Sequence, residues 1–106
     1  MITEAEVESA RREWEEGHRR LHEEVSRDAR PERLLAQVDA VGAELRRRVG
    51  GTFTLRELAA AYAGAERWSR SVVAEQASAP GWPRTLSLVE AAAFHEYARG
   101  AQDYEP

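Results

Sequence analysis

Apolar residues recur at helical spacing through most of the 106-residue chain, and the breaks in that recurrence divide it into four segments. In the first, Val7, Ala10, Trp14, Leu21 and Val25 fall within about ±40° of the Trp14 direction at 100° per residue. His18 lands on the same stripe and His22 at its margin. Thr3 with Glu6 predicts a capping box at the start. Pro31 predicts an end near residues 28–30, because the residue before a proline is pushed out of helical geometry. Such a helix, 4–28, would span about 37 Å. That is more than a small domain needs, so part of the stripe is expected to serve a partner. On the outer face the spacing predicts four i,i+4 ion pairs: Glu8–Arg12, Glu15–Arg19, Glu16–Arg20 and Glu23–Arg27. Each would add about 0.2–0.5 kcal/mol. Gly17 costs about 1 kcal/mol relative to alanine, and it would also permit a close helix crossing.

The second segment, 31–49, opens on Pro31, a good first-turn residue. Leu34, Leu35, Val38, Val41, Leu45 and Val49 form its stripe, and Gly50 stops it. Arg46, Arg47 and Arg48 crowd its last turn, where the helix dipole favours cations. Then comes the best-signed start in the chain. Thr54 with Glu57 predicts a capping box, and Phe53 with Leu58 a hydrophobic staple. The helix they open is expected to run over 55–77, or to split into a kinked pair at Gly64. Leu55, Leu58, Tyr62, Ala65 and Val73 make its stripe, but the positions between and after fall on Ser69 and Gln76. Trp68 lies roughly 120° from Tyr62 and so off the stripe of a straight helix. Residues 78–83, with Pro80-Gly81 at their centre, predict a turn. A last helix is expected over 88–99, capped by Ser87 with Glu90 and ended by Gly100. Its run Ala91-Ala92-Ala93 would let a neighbouring backbone come close. The tail beyond Gly100 is expected to fray. No period-2 alternation and no internal repeat is present. The expectation is an all-α fold in one domain, 1–106: a small bundle of about four helices led by a long amphipathic one.

Composition narrows the function. Hydrophobic residues make up 42% and charged ones 32%, which suits helices with one apolar stripe and a heavily charged outer face. With no cysteine, disulfides and thiolate metal sites are excluded. No apolar run approaches the roughly 20 residues of a membrane span, and the charged N-terminus lacks a signal-peptide core. A cytoplasmic protein with no membrane partner is expected. All fifteen basic residues are arginine, a bias associated with GC-rich bacterial genomes. The net charge of −4 opposes indiscriminate nucleic-acid binding. It is unevenly spread: −5 over residues 1–45, +4 over 46–84 and −3 over 85–106.

Leu55-Arg56-Glu57-Leu58-Ala59-Ala60-Ala61-Tyr62, inside the basic middle, resembles the support helix of bacterial helix-turn-helix regulators, with Gly64 as the turn glycine. The resemblance covers about 20 residues. Ala65 fits it. Glu66 stands where that family has Ser or Thr, and Arg70 where it has a buried aliphatic residue. It implies a DNA-binding regulator in which Arg56, Arg67, Trp68 and Arg70 meet nucleic acid.

Other chemistry is thinly signed. Glu15-x-x-His18 matches half of a di-iron carboxylate motif, but no second Glu-x-x-His occurs and His95 with Glu96 would have to be recruited from the last helix, so no metal or other cofactor is expected. His18 is expected to be hydrogen-bonded at the edge of the core, and His22 solvated. No nucleophile motif or phosphate-binding glycine loop occurs, and no catalytic residue is expected. The arginine run could meet an acidic partner. Trp82 could be presented for binding or folded back onto the core. The favoured expectation is a non-enzymatic interaction module, a homodimer or a domain docked on another protein. Its contact residues would be Val7, Trp14, His18, Leu21 and Val25 on the first helix, with Trp82. The alternative is the DNA-binding regulator using residues 55–77.

Overall fold

The computed structural model describes residues 2–76 and 86–105, and no strand occurs among them. Five helices follow in order: α1 (Glu4–Arg27), α2 (Pro31–Val49), α3 (Leu55–Ala63), α4 (Ala65–Gln76) and α5 (Leu86–Ala98). They form a small all-helical bundle. The third expected helix is two, because the chain breaks at Gly64. The turn expected over 78–83, and Trp82 with it, lies outside the described residues.

The local signals act as capping chemistry predicts at the starts of α1 and α3 and at the end of α2. The Glu6 N–H donates to Thr3 Oγ1 at 3.1 Å, and the Thr3 N–H donates to Glu6 Oε1 at 3.3 Å. Thr54 and Glu57 repeat the arrangement at α3, with 3.2 Å in both directions. Phe53 and Leu58, the staple pair, lie in one buried cluster. Gly50 caps α2 with φ of +86°, a left-handed conformation that favours glycine, and its N–H donates to Arg46 O at 2.9 Å.

The start of α5 differs. Ser87 is the second residue of α5 and is exposed, so it caps nothing. Glu90 turns inward instead and accepts a hydrogen bond from the buried Ser69 hydroxyl at 2.5 Å. The pairs on α1 also differ from the i,i+4 expectation. Arg11 meets Glu8 at 3.5 Å, and Arg19 bridges Glu16 at 2.6 Å and Glu23 at 2.5 Å. One arginine between two carboxylates satisfies both with a single ordered side chain. Leu35, assigned to the α2 stripe, is 45% exposed.

The acidic tail does not fray. The Gln102 N–H donates to Phe53 O at 2.9 Å, and the Asp103 carboxylate accepts from the Leu55 N–H at 2.8 Å, serving the open first turn of α3. Arg11 reaches the Glu105 carbonyl at 3.3 Å and lies 5.9 Å from the Tyr104 ring.

Packing centres on α5. Leu86, Val89, Glu90, Ala91, Ala92, Ala93, Phe94 and Ala98 are all buried, as in a helix that is apolar all round and therefore internal. Helix α1 runs antiparallel to it: Gly17 meets Ala91 and Trp14 stacks on Phe94 at 5.7 Å. Tyr62 of α3 closes on Trp14 edge-on at 5.6 Å. Two clusters share α5. One gathers Trp14, Leu45, Phe53, Leu58 and Phe94, and the other Leu21, Leu34, Val38, Val41, Val73 and Val89. The bundle's long axis is 38 Å, so α1 is as long as the molecule and its surplus length is used internally. The Trp14 indole N–H and the Gln37 carbonyl oxygen are buried without a hydrogen-bond partner among the described residues. Such a vacancy costs about 1–3 kcal/mol, which the aromatic packing around Trp14 helps to offset.

A Cβ built on Gly17 would stand 2.3 Å from the Ala91 Cβ, so α1 and α5 can approach this closely only at a glycine. On Gly42, inside α2, it would meet nothing within 4 Å. The two substitutions should therefore have opposite signs. Gly17→Ala gains about 1 kcal/mol of helix propensity but must push two helices apart, at about 3 kcal/mol. Urea denaturation should show a net loss of about 2 kcal/mol. Gly42→Ala should gain about 0.5–1 kcal/mol.

Candidate functional site

Residues between Arg48 and Arg70, in the basic middle of the sequence, line a surface cleft. Helix α2 ends with Arg46, Arg47 and Arg48 in its last turn, and Gly50 stops it there. After α3, Gly64 ends one helix and Ala65 starts the next, so α4 sets Arg67, Trp68 and Arg70 beside that arginine-rich turn. The cleft has a volume of about 760 Å³ and is lined by Arg48, Ala63, Gly64, Glu66, Arg67, Trp68 and Arg70. Three cations face one anion. Arg70 pairs with Glu66 at 2.7 Å, and Arg48 with Glu44 at 3.4 Å. Arg67 has no ion-pair partner among the described residues.

Trp68 is the cleft's apolar surface. Its ring is half-buried, tilted against Phe94 at 6.4 Å, with the Arg48 guanidinium 4.9 Å from its centroid. That stack contributes about 0.5–1 kcal/mol at an exposed site. The break at Gly64 explains why a residue off the stripe of a straight helix still touches both buried clusters.

One buried polar contact fixes the wall that carries these side chains. Ser69, with 0% exposure, donates to the Glu90 carboxylate across α4 and α5. Burial pushes the Glu90 carboxyl above its ordinary value; the Ser69 hydrogen bond opposes this, and the nearby Glu66 charge adds to it. Ser69 and Glu90 lie under the surface, so this serine–carboxylate pair holds structure and offers nothing to a substrate. The Tyr62 phenol is pushed up to about 12, by burial first and then by Glu13 and Glu90, and stays protonated at neutral pH.

The residues assigned to the first helix lie elsewhere. Trp14 and Leu21 are core residues at 1% and 3% exposure, covered by the chain's own helices, so neither is presented for docking. Val7 and Val25 are half-buried against the two clusters at opposite ends of α1. Trp82 lies outside the described residues. His18 is half-buried, and its Nε2 lies 3.1 Å from that of His22. Its ring also stacks on His95 of α5 at 4.4 Å, the histidine that the half-motif on α1 would have had to recruit. Among the described residues, no group of three or more His, Cys, Asp or Glu is placed to hold a metal ion.

Of the four residues assigned to nucleic acid, three meet in the cleft. Arg56 does not: it donates to the Ile2 carbonyl and sits with Asp103 and Glu105. Gly64 alone separates α3 from α4, whereas a helix-turn-helix joins its helices by a turn of three or four residues. Arg48 belongs to the run that the sequence offers to an acidic partner, and the structure places it in the cleft beside Arg67, Trp68 and Arg70. One contributor was missed: Glu90 has the spacing of a cap, although Ser69, a polar residue at a core position, signals a need for a buried partner.

Fold and site together define a small helical bundle with a cationic cleft lined by Trp68. No helix of the described residues is long and apolar enough to cross a membrane. Comparison with protein-family models, with curated proteins and with solved structures gives no match.

The raised Glu90 carboxyl carries a stability consequence. Its charged form is disfavoured in the fold, so the contribution of this one group to stability is fully present below the ordinary carboxyl value of 4.5 and is lost as pH rises from there through the folded value. Glu90→Gln keeps an acceptor for Ser69 without the charge. It should raise the melting temperature at neutral pH, and the gain should disappear below about pH 4.5.

Proposed function

We propose that the protein is a non-enzymatic interaction module that docks an acidic protein segment in the Trp68 cleft. The observation that carries this reading is Trp68 itself, a half-buried indole set among Arg48, Arg67 and Arg70. Tryptophan and arginine are the residue types that most often dominate binding energy at interfaces. A cleft of about 760 Å³ takes several side chains, so an apolar residue on the ring and carboxylates on the guanidinium groups can be held together. The chain as a whole carries −4, so the positive field is local, and it steers a negative partner to this place.

A DNA-binding regulator is the second reading, favoured by the projection of Arg67, Trp68 and Arg70 from one short helix. The one-residue link at Gly64, the separate position of Arg56 and the net negative charge weigh against it.

A labelled peptide rich in Asp and Glu, with one central Phe, separates the two when titrated beside a duplex DNA. The peptide should bind with micromolar affinity and lose at least about tenfold, or 1.4 kcal/mol, in both Trp68→Ala and Arg67→Glu. DNA should bind weakly and equally to all three proteins. Peptide binding indifferent to both substitutions would overturn the proposal. Steeply salt-dependent DNA binding that Arg67→Glu abolishes would establish the second reading.

A further inference from the structure

All three histidines of the chain meet at one point on the α1–α5 packing, although two lie on the first helix and one on the last. His18 is the centre. Its Nε2 is 3.1 Å from the His22 Nε2, and its ring lies 4.4 Å from the His95 ring with 24° between the planes. Two imidazole nitrogens at 3.1 Å require one to donate and the other to accept, so at most one of the pair can carry the extra proton. The same holds across the stack, where two imidazolium rings face to face would repel with half-buried surroundings to screen them. His18 and His95 are both half-buried, and only His22 is exposed.

We propose that this cluster is an acid-operated latch on the α1–α5 packing: closed while the stacked His18 and His95 rings are neutral, and released when both take up protons.

The groups facing the cluster come from both helices. On α1 they are Glu15 and His22, and on the α5 side Glu96 and Arg99. Burial is the largest influence on His18 and holds it below the ordinary 6.5; His95, His22 and Arg99 push the same way. Burial also holds His95 below 6.5 and outweighs Glu15 and Glu96, which favour its protonation, while Arg99 opposes it. A histidine whose folded value is depressed gives its full stability above about pH 6.5 and loses it as pH falls toward the folded value. The latch therefore opens on the acid side of neutrality. Its release reaches the cleft, because α5 also carries Phe94 behind Trp68 and Glu90 beneath Ser69.

The test follows the full chain from about pH 7.5 to about pH 5.5, across the ordinary histidine range. Proton NMR of the imidazoles should place His18 and His95 below 6.5. The melting temperature should fall over that range, and His18→Gln/His95→Gln should lose less than half as much. Because both proteins keep Glu90, its opposite pH dependence cancels in the comparison. His18 and His95 imidazoles that titrate at or above 6.5, or a double variant whose melting temperature falls as steeply as the parent's, would overturn the proposal. Should the double variant fail to fold, the NMR titration of the unaltered chain decides alone.

Discussion

The close approach of α1 to α5 at Gly17 and Ala91 is the constraint on which the rest of the structure depends. With no side chain on one helix and a methyl group on the other, the two axes come together where any larger pair would collide. That contact lets a chain of only 106 residues bury one helix on nearly every side. It also sets the register in which Trp14 stacks on Phe94 one turn away and His18 on His95. A small protein has little core to spend, and placing an alanine-rich helix at the centre is an effective way to make one.

The internal position of α5 ties the molecule's polar features together. One of its sides receives the imidazole of His18. Another sends Glu90 to Ser69 and so fixes the wall from which Arg67, Trp68 and Arg70 project. Burying a carboxyl group is expensive unless it is bonded. Here the expense falls on the contact that orients α4. The cleft is a consequence of the fold's centre and does not depend on a loop, which is the condition for a pre-organised docking surface.

Much of the architecture was legible in the sequence because helix starts and stops are local chemistry. Thr3–Glu6, Thr54–Glu57, Pro31 and Gly50 act within a few residues of themselves and need no tertiary context. Gly17 and the Ala91–Ala93 run each announced a close crossing, although nothing in the order of residues says that they announce the same one. What could not be read was long-range. The α1 stripe looked too long to be satisfied internally, since the chain's last helix covers it and periodicity does not reveal partners across such a distance. Ser87–Glu90 has the spacing of a cap, and the burial of Glu90 overrode it. The three histidines looked like a broken motif because His95 reaches the other two only through packing. The cleft was legible in part. Arg67, Trp68 and Arg70 stood out by charge and aromaticity, but Arg48 joined them only when the chain broke at Gly64.

The central claim is that the docking surface is the Trp68 cleft and not the apolar stripe of α1. Mapping amide and indole NMR shifts while an acidic peptide is added tests it most directly. The account predicts changes concentrated at Arg48, Gly64 and Glu66–Arg70, with the Trp68 indole N–H moving most and Trp14 staying still. Changes running along Val7, Trp14, Leu21 and Val25 instead would contradict it.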